Sequence, residues 1–170
     1  MEGIVYIENF LSNHALLFET LISNTIWDTR MANRKTASFG RPYNYAQMEY
    51  LFQEFTEELE EIRDSIEALV GYRSNNCLIN YYENGSSRMG FHSDQIDILE
   101  ENTGVAIISI GETRTLCFRN IEDRSMTVDF NLIPGSLIYV NNEIQNIWQH
   151  AITKANTENG RISLTFRKLK

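Results

Sequence analysis

Arg161-Ile162-Ser163-Leu164-Thr165-Phe166-Arg167 alternates apolar and polar side chains without a break. Successive side chains of a strand point to opposite faces. Ile162, Leu164 and Phe166 therefore share one face, and Arg161, Ser163, Thr165 and Arg167 share the other. Two arginines on one face leave two readings. Either this is an edge strand with its polar face in water, or the face is buried and each guanidinium meets an anion, because an uncompensated buried charge is costly. Outward from this strand, Cys77–Tyr82, Val105–Ile110, Thr113–Arg119, Met126–Leu132 and Ser136–Asn141 also read as strands, punctuated by Gly111, Asn120 and Pro134-Gly135. So many short strands behind a helical N-terminal part predict an α+β architecture with a double-sheet or barrel-like core.

Residues 4–7 read as a short strand. Ser12 is placed to N-cap a helix over about 13–23, with Leu16, Leu17, Leu21 and Ile22 apolar. Met48, Leu51, Phe52, Phe55, Leu59, Ile62, Ile66 and Leu69 recur at spacings of three and four, which predicts a second helix ending at Gly71. A length of 170 residues with no repeat or linker fits one domain over 1–170. There is no apolar run of membrane-spanning length and no signal-peptide pattern at Met1-Glu2-Gly3, so a cytoplasmic protein without membrane attachment is expected, and a monomer. Cys77 and Cys117 lie in strand-like runs and read as buried thiols in a reducing compartment.

The formal net charge is −8, which by itself argues against a polyanionic partner. Eight acidic side chains and one basic one fall in residues 46–70, however, so the acidity belongs to one helical surface and the rest of the chain is close to neutral. Residues 30–45 carry four cations (Arg30, Arg34, Lys35, Arg41), no acid, and three interleaved aromatics (Phe39, Tyr43, Tyr45), with Gly40 and Pro42 as breakers. Cations that reach phosphates and rings that stack on bases suit nucleic acid. A loop whose charges are merely solvated explains the composition equally well.

Gly90-Phe91-His92-Ser93-Asp94 places an imidazole and a carboxylate two residues apart, on one face if the stretch is extended. Such a pair supplies two ligands of the 2-His-1-carboxylate triad, which holds Fe(II) with open positions. The chain has three histidines. His14 falls in a helix-like segment and reads as structural, which leaves His150 as the candidate third ligand. An arginine of the last strand, with Asn80 and Tyr82 on one strand face, would suit a dicarboxylate.

From Asn80 to Arg167 the chain resembles the catalytic half of an AlkB-type, 2-oxoglutarate- and Fe(II)-dependent dioxygenase. Asn80-Tyr81-Tyr82, His92-Ser93-Asp94, His150 and the Arg161–Arg167 strand occur in that family's order and spacing. The N-terminal part resembles the family's substrate lid more loosely, over about 25–45. The resemblance implies a double-stranded β-helix, or jelly-roll, core with two N-terminal helices packed on it. It puts His92, Asp94 and His150 on iron, Arg161 on the distal carboxylate of 2-oxoglutarate, and Asn80 and Tyr82 in hydrogen bonds to that cosubstrate. Arg167 would lie near the metal-bound end or brace Asp94. Ser163 stands where the family often has Asn. Tyr45 corresponds to the aromatic that stacks on a flipped base in the base-repairing members, and Arg34 and Lys35 would meet the nucleic acid.

The family's base-repairing members carry an acidic residue two positions after the metal Asp. Here that position is Ile96, which leaves two readings: Asp97, next in the chain, substitutes for it, or the pocket takes a different substrate. The cofactors implied are Fe(II), 2-oxoglutarate and O2. The expected function is oxidative demethylation of N-alkylated nucleobases in DNA or RNA. A hydroxylase of a small molecule or protein side chain is the alternative. A non-catalytic relic is disfavoured by the intact triad.

Overall fold

The computed structural model describes residues 1–44 and 48–170. The Arg161–Arg167 strand, β10 and the last of the chain, is a central strand with all seven residues buried. Its polar face therefore does not meet water. The first strand is β1 (Ile4–Ile7), followed by α1 (His14–Asn24), β2 (Lys35–Gly40) and α2 (Glu57–Val70). The remaining strands are β3 (Asn76–Tyr82), β4 (Met89–His92), β5 (Gly104–Gly111), β6 (Arg114–Asn120), β7 (Thr127–Leu132), β8 (Ser136–Asn141), β9 (Trp148–Ile152) and β10, with a short 3-10 helix at Asn142–Asn146 before β9. They form two antiparallel sheets. The larger is ordered β1-β8-β5-β10-β3-β2 and the smaller β4-β9-β6-β7. Among the described residues no helix is long and apolar enough to cross a membrane.

The two sheets and two helices make the jelly-roll sandwich that the resemblance implied. One face of the large sheet packs Ile162, Leu164 and Phe166 with Cys77, Ile79 and Ile108 against Leu17 and Leu21 of α1 and Leu59, Ile62 and Ile66 of α2. Each such side chain contributes roughly 1.5–3 kcal/mol when fully buried. The opposite face meets the small sheet through Tyr82, Ile138 and Val140 on one side and Leu116, Phe118 and Ile152 on the other.

Three local expectations are corrected. The second helix begins at Glu57, not near Met48: Thr56 caps it by accepting from the Leu59 amide, and Gly71 closes it with φ 84°. The chain before Thr56 runs along β2 instead, where the Gly40 amide donates to the Gln53 carbonyl and Gln53 Nε2 donates to the Ser38 carbonyl. Leu51 and Phe52, counted in the apolar stripe, are exposed. The N-cap of α1 is Asn13, which makes no side-chain cap bond, so Ser12 does not cap it. Finally, the middle of the basic stretch 30–45 is regular: Lys35–Gly40 pairs with β3, and Thr36 to Gly40 are buried. Its polar residues Thr36 and Ser38 are satisfied by side chains from neighbouring segments, Tyr50 and Asn76.

Candidate active site

β4 and β9 pair antiparallel with His92 directly opposite His150. Directly opposed residues point to the same face. Both imidazoles therefore enter the space between the sheets, with ring centroids 4.4 Å apart. The strand ends at His92, and Asp94 follows just beyond it, where its amide donates to Gln145 Oε1 at 2.8 Å. Asp94 Oδ1 lies 3.4 Å from His92 Nε2 and 3.6 Å from His150 Nε2. One ligand atom from each of the three residues lies within 4.8 Å of the others.

The donor chemistry of this cluster suits a metal. His92 Nδ1 sits 2.8 Å from the Gly90 carbonyl, which can only accept. The ring hydrogen is thereby kept on Nδ1, and Nε2 keeps its lone pair for a ligand. Burial pushes the His150 imidazole down to about 4, against the pull of Asp94, so it is neutral at pH 7. Burial alone would raise the Asp94 carboxyl, but Arg167, His92 and His150 outweigh it and hold it well below the usual carboxylate range. Arg167 Nη2 donates to Asp94 Oδ2 at 2.9 Å, which turns Oδ1 toward the two imidazoles. The Arg167 guanidinium in turn lies 4.2 Å from the Tyr43 ring.

Beside the cluster is a cavity of about 450 Å³, floored by β10, β3 and β5. Register explains its lining. Arg161 lies opposite Tyr82, Ser163 opposite both Asn80 and Ser109, and Thr165 opposite Leu78 and Ile107. Arg161 is 1% exposed. Its Nη2 donates to Ser109 Oγ at 2.8 Å, while Nε and Nη1 find no acceptor among the described residues. Burial lowers this guanidinium to about 10, with Tyr82 acting in the opposite direction. A buried cation with one hydroxyl for a partner calls for an anion. The donor pattern at Asn80 is also set: Arg34 Nε donates to Asn80 Oδ1 at 2.8 Å, so the amide Nδ2 is the end left to donate into the cavity. A carboxylate of 2-oxoglutarate fits both features.

The structure thus brings Asn80, Tyr82, His92, Asp94, His150, Arg161, Arg167 and Arg34 to one cavity. Lys35 points elsewhere, to a surface pair with Glu83 at 3.4 Å. Asp97 is exposed and does not line the cavity; Gln95 does, and Ile96 packs beside the cluster of Leu78, Leu99 and Leu169. Tyr45 lies outside the described residues. Of the other cations in its stretch, Arg30 is bound to Asp28 at 2.6 Å and Arg41 lies 3.5 Å from the Leu169 carbonyl. His14 opens α1, away from the cavity.

Sequence reasoning passed over Ser109 and Gln145, and it read Tyr43 as one of the aromatics of 30–45 and not as a neighbour of Arg167. Ser109 had a signal, as the one polar residue in the run Val105–Ile110. Gln145 had none. Arg114 was also missed. It is 2% exposed and donates to the Asn84, Ser87 and Thr153 carbonyls, tying the β3–β4 turn to the end of β9 and so steadying the two histidine strands.

A family model described as the 2OG-Fe(II) oxygenase superfamily matches residues 3–167. The chain is 32% identical over 117 residues to an uncharacterized protein, R406, of Acanthamoeba polyphaga mimivirus, covering 68% of this chain and 60% of that one. It is 29% identical over 147 residues to the DNA oxidative demethylase ALKBH2 of Homo sapiens, covering 80% of this chain and 56% of that one. The chain spans less than two thirds of the length of these curated relatives. A solved structure, that of OsALKBH1, superposes with a TM-score of 0.72 over 98% of both chains at 16% identity, a likeness of fold.

Proposed function

This chain belongs to the 2OG-Fe(II) oxygenase superfamily, and from that premise we propose that it oxidatively removes N-alkyl groups from nucleobases in DNA or RNA. The observation that carries the oxygenase part is that a cluster suited to a cation and a guanidinium suited to an anion share one cavity. Asp94 Oδ1 faces the His92 and His150 imidazoles, and the Arg161 guanidinium lies buried in the same cavity with one hydroxyl as its hydrogen-bond partner among the described residues.

In this reading His92 Nε2, Asp94 Oδ1 and His150 Nε2 hold the iron. Arg161 binds the distal carboxylate of 2-oxoglutarate through the two nitrogens that lack acceptors, and Asn80 and Tyr82 hydrogen-bond the cosubstrate. Arg167 braces Asp94. Iron held by these three residues would supply the redox chemistry by which O2 and 2-oxoglutarate give succinate, CO2 and a hydroxylated substrate C–H bond. A hydroxylated N-methyl group is a hemiaminal and sheds formaldehyde, which restores the N–H of the base.

Support for a nucleobase comes from the demethylase relative and from Arg34 at the cavity. A base must leave its stack to enter, and alkylation that weakens pairing makes this cheaper. Tyr45 would stack on it, a contact worth about 1–3 kcal/mol. A second reading, hydroxylation of a small molecule or protein side chain, is favoured by one observation: Arg30, Lys35 and Arg41 bond within the chain and do not form an open phosphate-binding stripe. Succinate formation over a panel of methylated oligonucleotides, amino acids and metabolites decides between them. Stimulation by a methylated oligonucleotide is expected. Stimulation by an amino acid or metabolite alone would replace the nucleobase reading with the hydroxylase one.

A further inference from the structure

Among the described residues, Asp94 is the one carboxylate that lines the cavity, and Arg34, Arg161 and Arg167 line it as cations. Residues 45–47 are Tyr, Ala and Gln and bring no charge. The position two after Asp94 is Ile96, turned into an apolar cluster, and Asp97 is exposed outside the cavity. Asp94 is already engaged by Arg167. Loading the site with a ferrous ion and a cosubstrate dianion adds equal and opposite charge, so the positive excess remains. A cationic base would enter with no acid to receive its charge or its exocyclic N–H groups. Desolvated like charges in a confined site repel strongly.

Arg34 supplies the opposite preference. Its Nε is committed to Asn80 Oδ1, and Nη1 lies 3.5 Å from the Arg88 carbonyl. Nη2 donates to no atom among the described residues, and an arginine is a donor at every nitrogen. A guanidinium with an available N–H at the cavity suits a carbonyl oxygen on the incoming ring.

We infer that the substrate is a neutral N-methylated base whose methylated nitrogen lies between two carbonyls, such as an N3-methylated uracil or thymine, and that Arg34, by donating to the carbonyl at position 4, selects it over the cationic N3-methylcytosine class, which carries an amino group there. The inference rests on the nucleobase reading above. A site built to bond one ring substituent rejects an analogue that offers a donor in its place.

The test uses two single-stranded oligonucleotides identical except at one position, N3-methyluracil or N3-methylcytosine. These bases differ by a 4-carbonyl on a neutral ring against a 4-amino group on a cationic one. Binding is read by fluorescence anisotropy without oxygen on protein loaded with Mn(II) and saturating 2-oxoglutarate, and turnover by formaldehyde release with Fe(II) in air. The expected result is at least tenfold tighter binding and at least tenfold higher kcat/KM for N3-methyluracil, with Arg34→Gln drawing both ratios toward one. Equal or reversed preference, with both bases turned over, overturns the inference and leaves the demethylase reading standing. Unchanged ratios in Arg34→Gln overturn the role of Arg34. If neither oligonucleotide binds or reacts beyond an unmethylated control, the demethylase reading falls and the inference with it.

Discussion

At the floor of the cavity Asp94, His150, Arg161 and Arg167 are each at most 9% exposed, whereas the segment 28–53, which lends Met31, Arg34 and Tyr43 to the cavity, includes Leu51 at 89% and Phe52 at 59%. The floor is made of charges that need one another. Arg167 donates to Asp94 and helps hold its carboxyl low, and Arg161 has a single hydroxyl as its hydrogen-bond partner among the described residues. Few arrangements satisfy such groups in low dielectric. In the 28–53 segment the cations are met locally instead, by Asp28, Glu83, the Asn80 side chain and backbone carbonyls. Charges of one sign thus do different things in the two regions. On the floor they define a site, and in the outer segment they mostly fasten the chain to itself.

The most disruptive way to probe this difference is Asp94→Ala. It removes a metal ligand and leaves Arg167 buried without its carboxylate, and breaking a buried pair typically costs about 3–5 kcal/mol. Metal titration should show no specific Fe(II) site, and chemical denaturation should show a loss of that order. A variant of wild-type stability would mean that Arg167 is compensated elsewhere and the floor is less interdependent than drawn.

Arg161→Met sharpens the comparison by separating function from stability. The side chain fills similar space without a buried charge, and exchange of a poorly paired buried ion for an apolar group is often neutral or stabilising. The unliganded protein should melt at the same temperature or higher. Its affinity for 2-oxoglutarate, measured calorimetrically with Mn(II), should fall about a hundredfold, since hydrogen bonds to charged groups are worth about 1.5–3 kcal/mol. A drop in melting temperature with unchanged cosubstrate affinity would make Arg161 a structural residue.

The smallest effect belongs to the outer segment. Lys35→Ala removes a half-exposed ion pair with Glu83, worth less than about 1 kcal/mol. Oligonucleotide binding should keep its dependence on salt. A slope reduced by about one unit would put Lys35 on a phosphate and give the segment a direct part in binding.

Much of the floor was legible because its chemistry is carried by rare residue types at short spacing. His92 and Asp94 are two residues apart, and three histidines leave few choices for a third ligand. The alternation of β10 placed Arg161 and Arg167 on one face without reference to any other segment. The outer segment was legible in composition and misleading in structure. Its apolar spacing imitated a helix from Met48, yet those residues run beside β2, and of its cations Arg30 found Asp28 two residues away while Lys35 and Arg41 found an acid and a carbonyl far along the chain.

By itself the sequence determined the strand-rich α+β class, the helix that ends at Gly71, and the identity of the residues able to hold a metal and an anion. These follow from local periodicity and from the fixed chemistry of side chains. Only the tertiary structure decided that β10 is central, that His92 stands opposite His150, that Arg34 orients Asn80, and that Asp97 and Lys35 stay outside the cavity. Register between distant strands and the burial of a polar face are properties of how sheets close on each other. A residue's neighbours along the chain do not specify the partners it meets across a sheet, and those partners set its charge, its donor pattern and its access to a ligand.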